Sequence, residues 1–212
     1  MDTDQFIRSL AADSGWTSRP VWIVLAGALV VALGGSVSIF MTWLHMRPDV
    51  MVAMGNPFFM LKFVVTLALA GVSLALAMRL VRPGAPIRQW PWLLALPVVL
   101  LAGGIVADLL VPHTSSWEAR LVGSNSQVCL TAIPIMSLPL LIAALAGLRH
   151  GASTRPAMTG AVAGLLAGGI AATLYASHCT DDSPLFVATW YTAALALVAM
   201  IGGFAGRWVL RL

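Results

Sequence analysis

Two thiols carry most of the chemistry this chain could do. Cys129 and Cys179 are its two cysteines, and a thiolate is both a nucleophile and a ligand for soft metal ions. Cys179 stands in a polar run, His178-Cys179-Thr180-Asp181-Asp182. Those imidazole and carboxylate groups, together with His113, are candidate surroundings for a redox-sensing or metal-sensing thiol pair. Their spacing matches no zinc signature, so neither a dedicated metal site nor a cofactor is expected. The cysteines lie too far apart for a Cys-x-x-Cys active site, and no nucleophile stands with a base, so the chain reads as a non-enzyme. The bland alternative is that each cysteine is a small buried apolar side chain.

Other side chains could also carry chemistry. Met41, Met46, Met51 and Met54 bracket one loop and carry thioethers that bind Cu(I), although packing or lipid contact explains methionines more simply. Lys62 lies inside an apolar run, where an unpaired charge is costly. It is expected to snorkel to the interface or to pair with Asp108, in preference to lining an ion pathway.

The elements that must position these residues follow from composition. Of 212 residues, 59% are hydrophobic and only 9% charged, with a mean hydropathy of +0.91; soluble domains carry about a quarter charged residues, so a soluble fold is excluded. Apolar runs at 21–45, 58–81, 90–111, 127–148, 156–177 and 185–208 each approach or exceed the roughly 20 residues a helix needs to cross a bilayer. The expected fold is an all-α membrane protein, a six-transmembrane-helix bundle over residues 21–212, preceded by a stub at 1–20. Trp22, Trp43, Trp90, Trp92, Trp190 and Trp208 lie near the run ends, at the depth an amphipathic ring prefers. The acidic residues Asp2, Asp4 and Asp13 before the first run argue against a signal peptide, so that run is expected to be retained.

Charge sets the orientation. Arg8, Arg19, Arg79, Arg82, Arg88, Arg149, Arg155, Arg207 and Arg211 fall on one side, whereas the other has Arg47 and Arg120, with Lys62 inside the second run. The positive-inside rule then places both termini in the cytoplasm and the loops at 46–57, 112–126 and 178–184 outside. Both cysteines consequently lie near the outer face, where an oxidising periplasm favours disulfide formation. Basic residues so scattered do not form a nucleic-acid patch.

Smaller signals concern packing and docking. Gly160, Gly164 and Gly168 in the fifth run, and Gly202 and Gly206 in the sixth, predict close helix contacts, internal to the bundle in preference to a homodimer. Pro134 and Pro139 predict a kink in the fourth. Asn56-Pro57-Phe58-Phe59 faintly echoes Ser183-Pro184-Leu185-Phe186, without a convincing duplication. In the stub, Asp4, Phe6, Ile7 and Leu10 are expected to form a short amphipathic helix with acids at its favourable end. Its polar face lacks the basic residues of a membrane-surface helix, so docking into a partner is expected.

Several stretches then converge on a known pattern. Cys129-Leu-Thr-Ala-Ile-Pro134 through Pro139-Leu-Leu, Leu174-Tyr-Ala-Ser-His178-Cys179, and Asp182-Ser-Pro184 through Trp190-Tyr191 resemble the NrsF family, membrane-bound negative regulators of extracytoplasmic-function (ECF) sigma factors. Thr3-Asp4 to Leu10-Ala-Ala-Asp13, and Asn56-Pro57 to Arg79-Leu-Val-Arg82-Pro83-Gly84, also look like that family, and the resemblance covers essentially the whole chain. It implies a six-span anti-sigma factor of the bacterial inner membrane. Such a protein would hold an ECF sigma factor at the cytoplasmic face and release it under oxidative or heavy-metal stress. Cys129 and Cys179 match the family's outward-facing sensor pair. A small transporter or channel for metal ions or a hydrophobic solute is the competing expectation.

Overall fold

A computed structural model describes residues 3–5, 7, 20–82, 84, 90–112 and 116–211. Six helices dominate: α1 (Val21–Trp43), α2 (Pro57–Leu80), α3 (Ala95–Leu109, entered through a 3-10 turn at Trp90–Leu94), α4 (Ser126–Leu148), α5 (Pro156–Ala176) and α6 (Pro184–Val209). All six, α3 together with its entry turn, are long and apolar enough to cross a membrane. Two short helices, Val50–Ala53 and Trp117–Val122, sit in the connections before α2 and α4. The described residues contain no strand.

Helix starts are set by local chemistry. The Asn56 side chain accepts from the Phe58 N–H at 3.0 Å, and the Ser183 hydroxyl accepts from the Leu185 N–H at 3.3 Å. In both cases proline opens the helix, where its missing N–H costs nothing. The echo between these two stretches is a shared capping device.

The bundle is organised around α5, the most buried of the six. It packs against α6, α2 and α4, while α1 leans on α4 and the largely exposed α3 leans on α2. Small residues make this possible: Gly160 and Gly164 of α5 meet Gly202 and Gly206 of α6 backbone to backbone. Both glycine rows are thereby used inside the bundle. Helix α4 continues from Ser126 to Leu148 with Pro134 and Pro139 inside it. Between the prolines the Met136 carbonyl accepts the Ser36 hydroxyl of α1 at 2.8 Å. Helix α6 has a feature its sequence did not announce, a π-helical stretch at Val187–Tyr191; such bulges re-aim side chains and recur at functional sites.

The two ends of the bundle differ. At one end, the connections around residues 44–56, 110–125 and 177–183 bond to each other. At the opposite end, where α2 stops and α5 begins, the Ala152 N–H donates to the Val81 carbonyl at 3.0 Å. Arg82, Arg149, Arg155, Arg207 and Arg211 are exposed at that second end. Arg207 lies 3.9 Å above the Phe204 ring, and Arg211 4.7 Å above Trp208.

Candidate functional site

The short α5–α6 connection, Ser177 to Ser183, is where the functional candidates gather. Helix α5 ends at Ala176, and Ser183 caps α6, so few residues span the gap and the segment is held tightly against the bundle. Cys179 sits in its middle and Cys129 one turn into α4. Both thiols are fully buried, both are free, and both fall in one apolar cluster with Tyr175, Phe186 and Tyr191. The rings of Tyr175 and Tyr191 are 5.7 Å apart. The Asn125 carbonyl accepts the Cys129 N–H at 2.8 Å and the Tyr175 hydroxyl at 3.3 Å, which ties the two cysteine-bearing segments together.

Cys179 is thus polar in its sequence neighbourhood but not in its surroundings. Its thiol donates weakly to the Asp181 carbonyl, at 3.8 Å. Burial pushes the thiol above its ordinary value, while the nearby Lys62 ammonium pulls it the other way.

The expected companions of the thiols have other partners. The Asp181 carboxylate accepts from the backbone N–H groups of Ser124 and Asn125, at 3.1 and 2.8 Å, and from the Asn125 side chain at 2.9 Å. It therefore closes the start of α4, which has no side-chain cap of its own. His178 Nδ1 donates to the His45 carbonyl at 2.9 Å. Asp182 turns towards two cations, described next, and His113 lies outside the described residues. Of the stub residues, Asp4 and Ile7 are helical and exposed, and Phe6 and Leu10 lie outside the described residues.

Lys62 corrects one expectation. Its partner is Asp182, not Asp108: the ammonium donates to Asp182 Oδ1 at 2.7 Å, to the Cys179 carbonyl at 2.9 Å and to the Asp181 carbonyl at 3.4 Å. Its three protons thereby meet three oxygens, and the side chain is buried. Asp108 instead forms an ion pair with Arg120. Lys62 cannot pair with Asp108 because it is turned into the α5–α6 connection.

Arg47 completes the arrangement. Its guanidinium grips Asp49 through two bonds, at 2.8 and 2.7 Å, and reaches both Asp182 oxygens at 3.2 Å and the Cys179 carbonyl at 3.4 Å. The hydrogen bond to Asp49 drives the guanidinium further above its already high value, and the same bond holds the Asp49 carboxyl below its own. The buried Phe59 ring lies under both cations, 5.0 Å from the Lys62 ammonium and 5.4 Å from the Arg47 guanidinium. Lys62, Arg47 and Arg120 are thus each ion-paired.

Sequence reasoning missed Arg47, Asp49, Phe59, Tyr175 and Tyr191. One usable signal was present, since Tyr175 and Tyr191 are the chain's two tyrosines and flank Cys179. The exposed Met41, Met46, Met51 and Met54 are no part of this cluster.

Comparison with known proteins fits a regulator. Residues 10–212 match the family described as "Negative regulator of sigma F", NrsF. The anti-sigma-F factor NrsF of Caulobacter vibrioides (strain NA1000 / CB15N) is 37% identical over 216 residues, covering 100% of both chains. A probable anti-sigma-F factor NrsF of Azospira oryzae is 31% identical over 213 residues, again covering 100% of both. No solved structure matches. With the family match over nearly the whole chain and full-length relatives above 30% identity, this protein belongs to the NrsF family of negative regulators of sigma F.

Proposed function

We propose that this protein is an integral-membrane anti-sigma factor. It sequesters an ECF-type sigma factor at the cytoplasmic face of the bacterial inner membrane and releases it when Cys129 and Cys179 react with an oxidant or a heavy-metal ion. The observation that carries this reading is the meeting of the two cysteines, distant in sequence, in one buried cluster at the end of the bundle away from the exposed arginines.

The orientation rests on charge. Lys62, Arg47 and Arg120 at the cysteine end are neutralised by Asp182, Asp49 and Asp108, whereas Arg82, Arg149, Arg155, Arg207 and Arg211 are exposed at the other. The positive-inside rule assigns the arginine end to the cytoplasm, and both termini with it. The sigma factor then docks on the stub, through Asp4, Phe6, Ile7 and Leu10, and on the adjacent arginine loops.

Sensing begins at the thiols. Oxidation to a disulfide removes two protons and two electrons, which a peroxide takes up as it is reduced to water; a soft metal ion instead displaces the protons and bridges the sulfurs. Either product draws α4 and the α5–α6 connection together. The signal must then cross about 30 Å of hydrocarbon. Helix α4, which carries Cys129 at one end and runs through Pro134 and Pro139 to the arginine end, is the candidate carrier.

The test is affinity purification from membranes in mild detergent, with mass spectrometry of what co-purifies. The intact chain is expected to bring down a sigma factor and a chain lacking residues 2–14 is expected to lose it. With both cysteines replaced by serine, binding should persist and release on peroxide or metal treatment should stop. Unchanged release from the serine variant would overturn the sensing role, and absence of a sigma factor from every preparation would overturn sequestration.

A further inference from the structure

The Cys179 thiol is buried beside chain neighbours that are not. Thr180 beside it is exposed, Asp181 and Asp182 are partly so, and the Asp181 carbonyl of its own connection lies against the sulfur at 3.8 Å. Such a contact is only as firm as whatever holds it, and here two charged side chains from outside the connection do the holding. Lys62 of α2 binds the Cys179 and Asp181 carbonyls and the Asp182 carboxylate. Arg47, from the α1–α2 connection, binds the Cys179 carbonyl and the same carboxylate, and its backbone N–H donates to the Ser177 carbonyl at 3.1 Å. Asn56 adds a contact to Asp182 at 3.5 Å.

We propose that Lys62, Asp182 and Arg47 form an ionic latch that keeps the α5–α6 connection closed over the Cys179 thiol, and that opening this latch is what makes the thiol reactive. The inference rests on the sensing role proposed above and adds residues to it: the three latch side chains are positioning residues that govern access to the sulfur.

The arrangement has the asymmetry a latch needs. Asp182 is the common joint, because a single carboxylate accepts from both cations that lie over the Phe59 ring. Without it, two positive side chains confront each other at the connection with only Asp49 beside Arg47. Without Lys62, Asp182 keeps Arg47 but the Asp181 carbonyl over the sulfur loses its only charged partner among the described residues. A buried ion pair that loses one partner strongly destabilises the closed form, because a charge remains without its counterion. The Asp181 carboxylate contacts at Ser124 and Asn125 are separate, so the α4 side of the connection stays anchored while the α2 side lifts.

The test uses purified full-length protein in mild detergent, in a Cys129→Ser background, and follows the rate at which a bulky maleimide labels Cys179. Lys62→Met and Asp182→Asn are each expected to accelerate labelling by at least about ten-fold, given the penalty for breaking a buried pair. The double variant should react no faster than the quicker single one, because both changes open the same joint. Gel filtration checks that each variant remains folded. Should either lose its fold, Asp49→Asn decides, since Asp49 is exposed and its loss only slackens Arg47: a clear rise in rate supports the latch and an unchanged rate overturns it. Unchanged rates in folded Lys62→Met and Asp182→Asn, or effects that multiply in the double variant, also overturn it. Sigma-factor retention is scored on the same variants in the Cys129-containing chain. Fast labelling with the sigma factor still bound leaves the latch standing and counts against the sensing role. Slow labelling with cysteine-dependent release intact does the reverse.

Discussion

Gly160 and Gly202 touch through their backbones: a Cβ on Gly160 would stand 2.2 Å from the Gly202 carbonyl oxygen, and one on Gly202 would stand 2.3 Å from the Gly160 carbonyl oxygen. No side chain can move aside there, because the obstacle is main chain on both helices. Gly160→Ala must therefore push α5 and α6 apart, and the expected cost is about 1–3 kcal/mol, as for overpacking elsewhere. Gly27 in α1 has open space around its α-carbon, so Gly27→Ala is expected to be neutral or slightly stabilising. Thermal unfolding in one detergent compares the two. Equal midpoints would mean that the glycine row does not pack inside the bundle.

Asp181 supports a second prediction, at the start of α4. Its carboxylate is the acceptor for the Ser124 and Asn125 N–H groups, so Asp181→Ala is expected to cost about 0.5–2 kcal/mol, the range for losing a capping side chain. The adjoining Gly123 has φ +60°, and a Cβ there would meet the Phe186 ring at 2.5 Å and Asp181 Cγ at 2.8 Å. Gly123→Ala should therefore destabilise as well. Because the two positions share contacts, the double variant should lose less than the sum of the singles in the same thermal assay.

These residues mark how far the sequence could be read. The six long apolar helices were legible to within a few residues, since a helix able to cross a bilayer needs an uninterrupted apolar run and little else disguises it. The glycine rows of α5 and α6 were legible for a similar reason, a fixed spacing on one helical face. The partner of Lys62 was not, because Asp182 lies 120 positions away and several acids at that end were equally available on charge alone. The burial of Cys179 was hidden for the same reason. His178, Thr180, Asp181 and Asp182 suggest a solvated loop, and it is tertiary contacts, those of Lys62 and Arg47 among them, that fold it inward. The π-helical stretch at Val187–Tyr191 leaves no periodic signature in a sequence that is apolar on most sides.

Burial of the thiols makes a prediction about reactivity. Only thiolate reacts with maleimide, and burial raises the Cys179 thiol above its ordinary value. At neutral pH the folded protein should label slowly at both cysteines and fully after denaturation in dodecyl sulfate. Raising the pH should keep accelerating Cys179 labelling beyond the range where an ordinary thiol, with a pKa of about 8.5, has levelled off. Rapid labelling of the folded protein at pH 7 would contradict the closed connection.

Acid should act on the Arg47–Asp49 contact only at the extreme. The hydrogen bond from Arg47 holds the Asp49 carboxyl below its ordinary value. A depressed carboxyl contributes to the folded form at every pH above its unfolded value, and the contribution fades as pH falls through the lower, folded value. Moving from pH 7 to pH 5 should therefore leave the contact intact, with protonation deferred to more acidic pH than an ordinary carboxyl requires. Infrared difference spectra of the carboxylate band, with Asp49→Asn as the subtraction control, report this directly. An Asp49 signal titrating near pH 5 would mean that Arg47 is not gripping it through the two bonds at 2.8 and 2.7 Å. A signal confined to low pH would leave mild acid without a handle on Arg47 through this carboxylate, and would direct attention to the thiols as the groups whose chemistry opens that end of the bundle.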